Sequence, residues 1–171
     1  AEKTAAHIRA DMLAPLDVDL NISGFRLTGR IDALYPDKMV RYRYAKIKAK
    51  DRIRTWVRHL VLNCAYLPGY PRTSMVAGMD RAWTAWEYGP VEDAEKILEK
   101  LLERYWQGLM KPSPFFPESS WEYARQILER DRPAGDALQK AWGIWTGNAF
   151  IDGEGEDLYY DLCFKNLNPL E

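Results

Sequence analysis

Gly29-Arg30-Ile31-Asp32, followed after a turn by Met39-Val40-Arg41-Tyr42-Arg43-Tyr44, is the stretch that decides how this chain is read. A strand carrying Gly-x-x-Asp, then a second strand carrying an acid, one spacer and a lysine, is the arrangement by which many nucleases hold Mg²⁺ beside a scissile phosphate. Here arginines stand at both positions of the second strand. A divalent cation needs hard oxygen ligands, and a guanidinium donates five N–H groups while accepting nothing. Nor does arginine release its proton at any accessible pH, so Arg43 cannot act as a base. The stretch predicts a nuclease shape without nuclease chemistry: Asp32, Arg41 and Arg43 as vestiges, no catalytic residue, no metal and no other cofactor.

The flanking pattern supplies the elements. Leu16, Val18, Leu20 and Ile22 alternate with Asp17, Asp19 and Asn21, the period of a half-buried strand. Ser23-Gly24 turns into a second strand over residues 25–34, and Pro36-Asp37 into a third over residues 39–47, so the three read as an antiparallel meander. On the third strand Met39, Arg41 and Arg43 share one face, and Val40, Tyr42 and Tyr44 the other. Residues 51–65 predict a helix buried along Ile53, Trp56, Val57, Leu60, Val61 and Cys64, with Asp51 as its cap and His59 on its solvated side. Residues 73–77 and 82–88 read as an aromatic-rich hairpin. A long helix over residues 91–110 buries Ile97, Leu98, Leu101, Leu102, Tyr105 and Leu109. Further helices are expected over residues 2–13, 119–129, 134–146 and 156–164. This order predicts a single α/β domain over residues 1–171, a mixed sheet flanked by helices, with a core of about residues 1–111 and a helical C-terminal tail of about 112–171.

Composition narrows the class. With 47% hydrophobic and 29% charged residues the chain is globular, and no apolar run approaches the roughly 20 residues that cross a bilayer. No membrane association is expected. The start at Ala1, without a methionine or an apolar leader, leads us to expect a piece of a larger protein. Cys64 and Cys163 make no disulfide framework and lack zinc-type spacing, so both read as small hydrophobes of a cytoplasmic protein. Net charge is only −1, but it is unevenly spread: from Lys38 to Arg58 there are nine basic residues against one acid, Asp51. A basic segment in an otherwise acidic chain is either a solvated face or a site for a polyanion.

Few other residues suggest chemistry. Asp32 could ligate a metal only with help from Asp37, or from Asp11 or Glu2, none of them well placed for it. His7 and His59 have no nucleophile in a recognisable context. The acidic Gly153-Glu154-Gly155 would repel a phosphate rather than cradle one. Trp83 and Trp86, and Trp142 and Trp145, stand at i, i+3 and read either as core or as a stacking platform for bases. The strongest signal is the track Arg41, Arg43, Lys46, Lys48, Lys50, Arg54 and Arg58, in which flexible lysines and forked arginines suit backbone phosphates better than base edges. Binding would be independent of sequence and sensitive to salt.

Taken together, Leu27-Thr28-Gly29, Pro36-Asp37 with the aromatic and arginine strand behind it, and Trp56-Val57-Arg58-His59-Leu60-Val61-Leu62-Asn63-Cys64 resemble the C-terminal domain of the exonuclease V gamma chain, the RecC subunit of RecBCD-type helicase-nucleases. Phe116-Pro117-Glu118-Ser119 and Gly153-Glu154-Gly155-Glu156-Asp157-Leu158-Tyr159-Tyr160 extend the resemblance almost to the end. It implies a restriction-endonuclease-like fold of the PD-(D/E)xK type that is catalytically degenerate. It also implies a non-catalytic module that guides DNA and holds together a complex with alpha and beta subunits, the beta chain cutting, in double-strand break repair and homologous recombination. Recognition of the regulatory Chi sequence belongs to other domains of the family. Asp32 departs from the pattern, since family members can lack an acid there. Two alternatives stay open: a metal-dependent DNA nuclease using Asp32, and a protein-docking scaffold whose basic strand meets an acidic partner.

Overall fold

In the computed structural model, residues 11–79, 82–164 and 169 are described, and the helix expected over residues 2–13 lies mostly outside them. The chain divides into two units, Ala1–Trp106 and Gln107–Glu171.

The first unit starts with β1 (Leu16–Ile22) and β2 (Phe25–Ile31), paired antiparallel from Leu16 opposite Ile31 to Ile22 opposite Phe25. Ser23 and Gly24 both have positive φ (48° and 84°), the two-residue turn whose twist matches that of the strands. Leu16, Val18 and Ile22 are buried, while Asp17 and Asp19 on the wet face pair with Arg30 and Arg26.

The third strand does not complete a meander. β3 (Met39–Arg43) meets the hairpin's end only through an isolated bridge, Leu34 with Met39, and pairs instead in parallel with β4 (Ser74–Met79). β4 pairs antiparallel with β5 (Trp83–Tyr88), giving a mixed sheet in the order β3-β4-β5. Parallel neighbours need a crossover long enough to return the chain, and α1 (Ala49–Cys64) supplies it. Alternation of residue types shows which face of a strand is buried, not which strand lies beside it.

β3 is also shorter than its alternating residues predict. Beyond Arg43 the chain bends over the end of β4, where Gly78 lies opposite Arg43. A Cβ on Gly78 would come within 2.7 Å of the Ala45 carbonyl oxygen and of Ile47, so the crossing requires glycine. The bend buries Ile47 and leaves Lys46 and Lys48 exposed on either side of it.

Three apolar clusters hold the unit. One joins Leu16, Val18 and Ile31 of the hairpin to Leu34, Met39 and Leu62. A second gathers Ile22, Leu60, Ala94 and Leu98, and so ties the hairpin to α1 and to α2 (Ala94–Met110). The third, Val40, Met75 and Ala77, lies on the other face of the mixed sheet with Tyr42 and Trp83 against it. Along α2 only Ala94 and Leu98 are buried, whereas Leu101, Tyr105 and Leu109 of the expected stripe are exposed. Helical periodicity shows which residues share a face but not how far its partner extends.

The second unit contains α3 (Pro117–Leu128), α4 (Ala134–Thr146), the short strands β6 (Gly147–Asn148) and β7 (Ile151–Asp152), a 3₁₀ turn (Glu154–Glu156) and α5 (Leu158–Phe164). Phe116 is fully buried among the rings of Trp145, Tyr160 and Phe164, at 4.3, 5.1 and 5.3 Å between centroids. The Glu154 carboxylate accepts hydrogen bonds from the Glu118 and Ser119 backbone amides at 3.0 and 2.8 Å, and from the Ser119 hydroxyl at 2.8 Å. It supplies the anion that the N-terminus of α3 favours, which is the role of the acidic 153–157 turn. No described helix is long and apolar enough to cross a membrane.

Candidate nucleic-acid interface

Arg41 and Arg43 leave β3 on the same face, as alternation predicts, and each meets an acid. Arg41 is the arginine that reaches Asp32, its Nη2 lying 2.5 Å from Asp32 Oδ1. Arg43 Nη1 instead donates to both oxygens of Asp51, at 3.2 and 3.0 Å. Asp51 sits in the first turn of α1, where it also accepts a hydrogen bond from the Lys48 amide at 3.0 Å. It therefore caps its helix from inside the first turn while fixing the end of β3.

The two pairs differ in exposure. The Asp32 side chain is 61% exposed and that of Asp51 15%. Hydrogen bonding to Arg41 and then its charge hold the Asp32 carboxyl below its ordinary range against the opposing effect of burial, with a backbone hydrogen bond and the charge of Arg58 adding the smallest contributions. The Nε atoms of Arg41 and Arg43 are buried without a hydrogen-bond partner. Of the other acids that could assist Asp32, the Asp37 carboxylate lies near Lys38 Nζ at 3.8 Å, Asp11 is exposed and Glu2 is outside the described residues. Among the described residues no three His, Cys, Asp or Glu side chains come together as metal ligands.

The rest of the basic segment divides by environment. Lys38 binds Glu87 at 3.2 Å, and the Arg52 guanidinium lies 4.5 Å over the Trp86 ring, so both serve the fold. Lys46, Lys48, Lys50, Arg54 and Arg58 are exposed. Arg54 and Arg58 follow each other at i, i+4 on α1, and Arg58 Nη1 donates to the Arg54 carbonyl at 3.4 Å. Arg58 binds its proton less tightly than usual: partial burial and then the nearby charge of Arg41 lower its pKa, Asp32 opposes, and Arg54 adds to the lowering. Arg58 of α1 thus lies within electrostatic reach of the Asp32–Arg41 pair.

The expected solvated placement of His59 on α1 is corrected: it is fully buried. Its Nε2–H donates to the Gly89 carbonyl at 3.0 Å, so Nδ1 accepts from the Ser74 hydroxyl at 2.9 Å. The ring stacks on Trp56 at 5.4 Å, with Tyr88 5.5 Å away. Asn63, one turn on, donates to the His59 and Arg72 carbonyls and accepts from the Val91 amide. Burial lowers the His59 pKa, which keeps the ring neutral, and pushes the Tyr88 hydroxyl up to about 12. The signal missed in the sequence was Thr55, His59 and Asn63 at i, i+4, i+8, a polar stripe as regular as the apolar one beside it.

Of the four tryptophans spaced at i, i+3, Trp83, Trp86 and Trp145 are half-buried and Trp142 is exposed. Trp83 packs on the Val40 cluster, Trp86 lies beneath Arg52 and Trp145 against Phe116.

Comparison with known proteins gives this arrangement its relatives. A family model described as the RecC C-terminal domain matches residues 1–128. The RecBCD enzyme subunit RecC of Escherichia coli (strain K12) is 26% identical over 164 residues, covering 90% of this chain and 14% of that protein. The RecBCD enzyme subunit RecC of Buchnera aphidicola subsp. Schizaphis graminum is 25% identical over 157 residues, covering 88% of this chain and 14% of that protein. The chain therefore spans about one seventh of the length of the curated relatives it matches. The family model takes in the hairpin, the mixed sheet and both arginine–aspartate pairs, and the chain belongs to the RecC C-terminal domain family.

Proposed function

We propose that this chain is a non-catalytic DNA-guiding and assembly module of a RecBCD-type helicase-nuclease, an exodeoxyribonuclease V gamma-chain segment acting in double-strand break repair and homologous recombination. Its partners are DNA and the alpha and beta subunits of such a complex. Its fold is a degenerate restriction-endonuclease-like one, in which β3 occupies the place of the strand that would bear the acid and lysine. The observation that carries the reading is the Arg41 guanidinium on the Asp32 carboxylate. That pairing puts fixed positive charge where metal-assisted hydrolysis would need a cation and its ligands. Lys46, Lys48, Lys50, Arg54 and Arg58, exposed beyond the pair, extend the charge along the bend and the first ten residues of α1.

Such a track attracts the sugar-phosphate backbone without reading bases. Hydrolysis is left to the beta chain. The test is binding of a single-stranded oligonucleotide to the full-length chain as a function of salt. Charge reversal at Lys50, Arg54 and Arg58 is expected to weaken binding and to flatten the plot of log K against log[salt] by about 0.7 for each phosphate no longer neutralised. Equal binding and equal slopes for parent and variant would remove direct DNA binding from the proposal, leaving the basic track to meet an acidic protein surface.

A further inference from the structure

The Asp32–Arg41 pair carries more than the absence of a nuclease. Arg41 meets Asp32 through a single hydrogen bond, from Nη2 to Oδ1, so the pair is not a closed two-pronged fork. The carboxylate it holds is mostly exposed, on the turn after β2. Exposed ion pairs are weak, because water competes for both partners and the side chains lose freedom in pairing. Two cations act on this one carboxylate, Arg41 in contact and Arg58 within electrostatic reach, and Arg54 adjoins Arg58, its charge acting on that guanidinium and its carbonyl receiving it. Like charges held together by the fold leave an excess positive charge that a second anion would relieve.

Building on the DNA-binding reading above, we infer that Arg41, Arg54 and Arg58 form a site for one backbone phosphodiester of a nucleic acid, and that Asp32 is its built-in competitor, occupying Arg41 until a phosphate displaces it. A phosphodiester offers two equivalent anionic oxygens, which match a guanidinium fork as a carboxylate does. Unlike the carboxylate, it is tethered to neighbouring phosphates that bind along Lys46, Lys48 and Lys50. An isolated anion must displace Asp32 unaided, whereas a strand displaces it while binding at several points at once. The site therefore selects polyanions over single anions. Asp51 makes no second competitor of this kind: its carboxylate is largely buried and committed to the Lys48 amide as well as to Arg43.

The experiment measures affinity of the full-length chain for a single-stranded oligonucleotide at low salt, in four arms: parent, Asp32→Asn, Asp17→Asn and Arg41→Gln/Arg58→Gln. Asp17 is another exposed aspartate paired with a strand arginine, but on β1, so its removal changes net charge without touching the site. The expected result is binding about twofold to fivefold tighter for Asp32→Asn, the range set by the strength of a weak exposed pair. Asp17→Asn is expected to bind as the parent does, and the double arginine variant more weakly. An oligonucleotide with neutral methylphosphonate linkages is expected to lose the Asp32→Asn gain. Equal tightening by both aspartate variants, or a gain that persists on the neutral backbone, would overturn the local phosphate site. An unchanged Asp32→Asn beside a weakened arginine variant would overturn the displacement and leave the DNA-binding reading standing. No change in any arm would remove both.

Discussion

A guanidinium 2.5 Å from the Asp32 carboxylate changes what that carboxylate can do. It is held ionised by Arg41, so its stabilising contribution is present above the ordinary carboxylate pKa and is lost only as pH falls through the lowered folded value. Between about pH 5 and 8 the pair is therefore constant. Because Asp32 is exposed, Asp32→Asn is expected to move the thermal midpoint by no more than about a degree, measured by circular dichroism; a large drop would make the pair structural. His59 behaves in the opposite way. Its folded pKa is depressed by burial, while the unfolded ring takes up its proton near pH 6.5, so the unfolded state binds more protons below that pH. Its contribution is complete above about pH 6.5 and falls as the medium is acidified. His59→Gln is expected to cost about 1–3 kcal/mol in urea unfolding at pH 7, by stranding Ser74 and the Gly89 carbonyl, and to flatten the pH dependence between about 7 and 5. An unaltered pH profile would show that the ring is not neutral in the folded state.

At the scale of elements, what the sequence revealed depended on how local the cause was. The Ser23-Gly24 turn, the 74–88 hairpin and the tail helices follow from residue types next to one another in the chain, and all are present where expected. The parallel pairing of β3 with β4 was not legible, because it depends on a crossover helix returning the chain to the same end of the sheet. The early end of β3 depends on Gly78, 35 residues beyond Arg43 in the chain and directly opposite it in the sheet. Gly78→Val is expected to displace the 44–48 bend and with it Lys46 and Lys48, destabilising the first unit by about 1–3 kcal/mol through the clash with Ala45 and Ile47. A variant as stable as the parent would mean that the bend can move aside at little cost. In the second unit Glu154→Gln is expected to cost about 1 kcal/mol by weakening the anionic cap of α3, seen as a lower urea midpoint. The cap was invisible in sequence because 35 residues separate Glu154 from Ser119, whose amide and hydroxyl it binds.

For the whole molecule, the near-zero net charge conceals a basic segment set in acidic surroundings, and that contrast was readable from composition alone. Which cations remain available was not. Lys38, Arg41, Arg43 and Arg52 are engaged by Glu87, Asp32, Asp51 and Trp86, partners contributed by other turns and strands, and the exposed remainder runs from Lys46 to Arg58. Family membership was legible from the resemblance of several short motifs taken together, and the family model matches residues 1–128. The central proposal is that this domain keeps its attraction for a phosphate backbone and has given up hydrolysis. The most direct test is cleavage of end-labelled duplex DNA by the reconstituted helicase-nuclease complex with Mg²⁺ or Mn²⁺, comparing the parent with Asp32→Ala in this chain. Undiminished cleavage by Asp32→Ala is the expected result; abolished cleavage, with the complex still assembled and bound to DNA, would contradict it.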